Sequence, residues 1–61
     1  MLTVKFHMTD KRELFVFTDE FRSFEELVKY CNGKDLVYFH NKSSNKGRAI
    51  NMNKVNCIEE D

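Results

Sequence analysis

Four side chains carry the atoms for metal or thiol chemistry: His7, Cys31, His40 and Cys57. By ligand type, imidazole and thiolate together suit zinc. Their spacing does not, because no two of them stand at the short interval that marks a chelating pair. Cys31 also falls on an apolar stripe. The residues therefore predict two ordinary surface histidines and two small buried thiols, with no metal and no other cofactor. The cysteines match no disulfide framework, and a reducing cytosol argues against their pairing.

The carboxylates Asp19, Glu20, Glu25 and Glu26 gather where a helix should begin. Paired carboxylates can do acid–base work when burial separates their pKa values. Capping and solvation account for these four without it. Ser43 and Ser44 lack the context of a nucleophile, and Gly33 and Gly47, the only glycines, make no phosphate-cradling loop. Sixty-one residues also leave little room for a water-excluding pocket. No enzyme is expected.

The segment from His40 to Arg48 holds Lys42, Lys46 and Arg48 and no acid. With Tyr38 or Phe39 nearby to stack on a base, it is a candidate contact for a nucleic acid or for an acidic patch on a protein. A solvated loop explains the same residues, and the formal net charge of zero disfavours a polyanion partner.

These residues must be positioned by a small set of elements. Leu2, Val4, Phe6 and Met8 alternate with Thr3, Lys5, His7 and Thr9, which is the two-residue period of a strand. A second run, Leu14 to Thr18, follows the polar break Asp10–Glu13, and the pair reads as an antiparallel hairpin. Ser23 and Glu26 form a capping box, and Phe24, Leu27, Val28 and Cys31 mark one face of a helix over about 24–32, closed by Asn32-Gly33. Leu36–His40 reads as a strand, residues 41–48 as a polar connection, and Ala49–Met52 as a short strand. Val55–Ile58 fits either a last strand or one helical turn, and the acidic tail Glu59–Asp61 should fray.

The order ββαββ(β) predicts one α+β domain over 1–61. It has a small antiparallel sheet of four or five strands with the short helix packed on one face. The alternative is a small, partly open β-barrel with one helix. The hairpin register decides which apolar residues are left outside. A two- or four-residue turn sets Phe6 against Phe17 and Met8 against Phe15, leaving Leu14 and Val16 outside beside His7 and Thr9. A three- or five-residue turn exchanges the faces and puts Phe15 and Phe17 outside. The first register is expected, because the three-residue loop wants glycine or asparagine in a left-handed position and Arg12 would have to take it.

Hydrophobic residues make up 41% of the chain and charged residues 33%, which is globular. A chain of this length buries only roughly 60% of its unfolded surface, so the spare hairpin face invites association. Leu14, Val16, His7 and Thr9 are thus the expected surface for a partner or for self-association. No apolar run is long enough to span a bilayer, and the first residues do not read as a signal peptide, so a cytoplasmic protein is expected. Six asparagines, seven lysines and one alanine resemble the output of an AT-rich reading frame, as in small phage or low-GC bacteria. Together these features lead to a non-enzymatic protein-binding module, homo-oligomeric with a dimer favoured. It would act by occupying a partner surface, as a phage-type inhibitor or regulator of a host protein does. Single-strand nucleic-acid binding is the alternative, and ligand capture between subunits a third.

Overall fold

The computed structural model describes residues 1–61. Strands β1 (Leu2–Met8) and β2 (Glu13–Thr18) form the hairpin, and helix α1 spans Phe24–Cys31. Strands β3 (Leu36–Asn41) and β4 (Lys46–Asn51) form a second hairpin. A 3-10 turn, Met52–Lys54, leads into β5 (Val55–Glu60). The strands make two antiparallel sheets, β2-β1-β5 and β3-β4, and these do not close into a barrel. The α+β architecture with five strands and one helix is thus the one present.

The expected hairpin register is corrected. Val4 lies opposite Val16 and Phe6 opposite Leu14, so these side chains share the inner face. Val16 is fully buried and Leu14 half-buried, whereas Phe15 and Phe17 point outward. Residues 9–12 join the strands; the Met8 amide donates to the Arg12 carbonyl at 2.8 Å, enclosing a three-residue loop in which Lys11 takes the left-handed position with φ 73°. For a non-glycine residue this costs about 1–2 kcal/mol. Asp10 compensates by accepting hydrogen bonds from the Arg12 amide at 3.1 Å and from its Nε at 2.7 Å. The far edge of β2 holds the same register. Its carbonyls at Phe15 and Phe17 accept from the Asn41 side-chain amide (3.3 Å) and the Lys42 backbone amide (2.7 Å).

The two inner faces and α1 enclose one core. Leu2, Val4, Phe6, Met8 and Val16 come from the first sheet, Val37, Phe39 and Ile50 from the second, and Leu27 and Cys31 from the helix. Phe39 anchors it, with ring centroids 5.6 Å from Phe6, 6.0 Å from Phe21 and 5.9 Å from Tyr30. The helix therefore leans toward Tyr30, and Val28, expected on the buried stripe, is exposed. Ser23 caps α1 by accepting from the Glu26 amide at 3.2 Å. Past the helix end, Gly33 adopts φ 78°, the left-handed conformation that glycine takes at little cost.

Three further expectations are corrected. The polar connection shrinks to residues 42–45, because Lys46, Gly47 and Arg48 pair with Asn41, His40 and Phe39. The acidic tail does not fray: Val55–Ile58 takes the first of its two expected forms, a strand, which continues through Glu60, and the Asp61 amide donates to the Thr3 carbonyl at 2.9 Å. Cys57 is exposed, while Cys31 is buried as expected.

Candidate functional site

Period-two alternation gives the three-stranded sheet an outer face made of Thr3, Lys5 and His7 from β1, Glu13, Phe15 and Phe17 from β2, and Cys57 and Glu59 from β5. His7 stands directly opposite Cys57 on one side and Glu13 on the other. Its Nε2 contacts the Glu59 carboxylate, and its Nδ1 lies 3.6 Å from Glu13 Oε2. The ligand atoms of His7, Cys57 and Glu59 all fall within 4.8 Å of one another. Lys5 sits alongside, 3.9 Å from the Glu13 carboxylate and 5.3 Å from the centre of the Phe15 ring. The face is a polar, charge-paired patch beside two phenylalanines.

A β-bulge sets the phase of this site. His7 pairs with Cys57 but Met8 pairs with Val55, so Asn56 is the extra residue on β5. The bulge lets Val55 and Ile58 both turn toward the core while Cys57 and Glu59 point outward. Spacing of three between inward residues is a helical interval, which is why this segment read equally as strand or helix. Glu59 escapes a reading of the sequence for the same reason, and Glu13 because its place opposite His7 depends on the hairpin register. Only once residues 55–60 are known to be strand does Cys57-x-Glu59 become two donors on one face.

The second sheet has a different outer face: Leu36, Tyr38 and His40 on β3 against Asn51, Ala49 and Gly47 on β4. None of the six carries a formal charge. Leu36 is 63% exposed and Tyr38 57%, the highest values among large apolar residues apart from Met1. The Tyr38 ring lies over Gly47, with its Cε2 only 2.6 Å from where a Cβ at that position would sit.

The other residues singled out from sequence scatter. Lys42 pairs with Asp19 at 3.3 Å. Lys46 and Arg48 lie on the face of β4 opposite to Tyr38, so the basic set and the aromatic ring do not converge. His40 Nε2 meets the Asn45 side-chain oxygen at 3.1 Å, and its strand belongs to the other sheet from His7. Thr9 is in the exposed turn, while Leu14 and Val16 belong to the inner face and offer no docking surface there. Glu20 accepts from the His40 amide at 3.0 Å, and Glu25 pairs with Lys29 at 3.3 Å, so these two carboxylates serve structure. Burial pushes the Cys31 thiol above its ordinary pKa, with the Lys34 charge opposing, so this thiol is held neutral.

An open depression of about 540 Å³ lies between Met1, Phe21 and Phe24, rimmed by Arg22, Glu25 and Glu60. Its one hydroxyl, on Ser23, is taken by the helix cap. No helix is long and apolar enough to cross a membrane. Comparison with protein-family models, with curated proteins and with solved structures yields no match for this chain.

Proposed function

We propose that the chain is a non-enzymatic, homodimeric protein-binding module. Two copies dock through the outer face of β3 and β4, and the opposite sheet face, with Lys5, Phe15 and Phe17, meets the protein whose surface the module occupies. The observation that carries this reading is the absence of charge from six adjoining positions in a chain that is 33% charged. Interface cores are depleted in charge and enriched in tyrosine. An uncharged patch is also self-complementary across a two-fold axis, whereas a charged one sets like against like. Zero net charge leaves no long-range repulsion between copies. Such a module inhibits or regulates by occupancy, and it belongs in the cytoplasm, where both free cysteines stay reduced.

Sedimentation equilibrium tests the reading directly. The wild-type chain should run as a dimer at high micromolar concentration, and Leu36→Asp with Tyr38→Asp should run as a folded monomer. A wild-type chain that stays monomeric throughout that range refutes the dimer.

A further inference from the structure

We propose that His7, Cys57 and Glu59 form a zinc-binding site on the outer face of the three-stranded sheet. The site is independent of the dimer face, which lies on the other sheet, and it shares its own face with Lys5, Phe15 and Phe17, the residues proposed to meet the partner protein.

The donor set comes first. Imidazole with thiolate selects zinc and similar borderline metals over calcium and magnesium, which prefer all-oxygen ligands. One carboxylate completes a three-ligand set of a kind that zinc accepts. Geometry comes second. In a tetrahedral zinc site, ligand atoms are separated by about 3.3–3.8 Å, from bond lengths near 2.0 Å to nitrogen and oxygen and 2.3 Å to sulfur. Here they already lie within 4.8 Å of one another, on two hydrogen-bonded strands. To reach that spacing the His7–Glu59 contact must open slightly and Cys57 must draw in; Cys57 and Glu59 are exposed and His7 is half-buried.

A third observation concerns the shell around the ligands. Metal-binding histidines hold their second nitrogen with a carboxylate or carbonyl, which sets the tautomer and aims the ring. His7 presents Nε2 to Glu59 and Nδ1 to Glu13, so one nitrogen faces the donor cluster and the other a carboxylate. With the dication bound, the Cys57 thiolate and the two carboxylates balance the metal together with Lys5. The bulge at Asn56 supplies a fourth observation, since bulges often re-aim side chains at functional sites. Three protein ligands leave the fourth position to water or to a donor from a bound partner.

Cobalt(II) is the probe, added to the reduced chain. One equivalent should give a thiolate-to-cobalt charge-transfer band with tetrahedral d–d bands, and zinc should displace both. Cys57→Ser should abolish the charge-transfer band, and Glu59→Gln should weaken binding. Glu13→Gln should weaken it by roughly tenfold. His40→Asn should bind as the wild type does. Circular dichroism confirms that each variant is folded; where Cys57→Ser is not, His7→Asn replaces it with the same expectation. Absence of the band, its survival in folded Cys57→Ser, or its equal loss in His40→Asn overturns the proposal.

Discussion

Gly47 and Tyr38 show how one small residue shapes a surface. The Tyr38 ring occupies the space that any side chain at position 47 needs, so the ring lies flat along β4. Gly47→Ala should push the ring off the sheet. The clash involves the far end of a flexible side chain, and glycine within a strand is itself unfavourable by roughly 0.5–1 kcal/mol relative to alanine. Stability by urea denaturation should therefore change by less than about 1 kcal/mol, while the Tyr38 resonances shift and dimer affinity falls. Equal loss of stability and association would mean that the ring position supports the fold rather than the docking face. Asn41 illustrates the opposite case, a buried polar residue whose every contact is structural. Its side chain donates to the Phe15 carbonyl and accepts from the Ser43 amide and hydroxyl, and no buried side-chain polar atom is left unpartnered.

Among the elements, β5 behaves unlike the rest. Deleting one residue from a regular strand turns every later side chain to the other face. Deletion of Ala49 in β4 should thus expose Ile50, at a cost of about 1.5–3 kcal/mol for that side chain alone. Deletion of Asn56 should do far less. It leaves Val55 opposite Met8 and Cys57 opposite His7 in an unbroken ladder. Thermal unfolding of the two deletions checks the contrast, and an Asn56 deletion as damaging as that of Ala49 would sink it. The same elements show what could be read in advance. The β1 alternation, the Ser23 cap and the Gly33 stop were legible because each is set by its own few residues. The β2 register was not. It depends on Lys11 accepting a left-handed backbone that Asp10 steadies, and on acceptors at Phe15 and Phe17 that face Asn41 and Lys42, remote in sequence. The His7–Cys57–Glu59 cluster was hidden similarly, since it joins the two ends of the chain and its phase rests on the bulge. Histidine and cysteine are candidate ligands by type alone, but only the β1–β5 ladder brings His7 and Cys57 together.

For the whole molecule, the organising fact is two sheets that share one core and turn unlike faces outward. One outer face carries paired charges beside Phe15 and Phe17, and the other carries none. Both faces stay exposed, at Phe15 on one and at Leu36 and Tyr38 on the other. The bond from the Lys42 amide to the Phe17 carbonyl has a consequence for how such a molecule opens. At 2.7 Å it ties a loop amide to the edge of the neighbouring sheet. Native-state hydrogen exchange reports the smallest fluctuation that frees each amide. The Lys42 proton, though it sits in an exposed turn, should exchange as slowly as those in the middle of β3, whereas its neighbours Ser44 and Asn45 should exchange quickly. The two hairpins would then come apart in a single concerted event instead of separately.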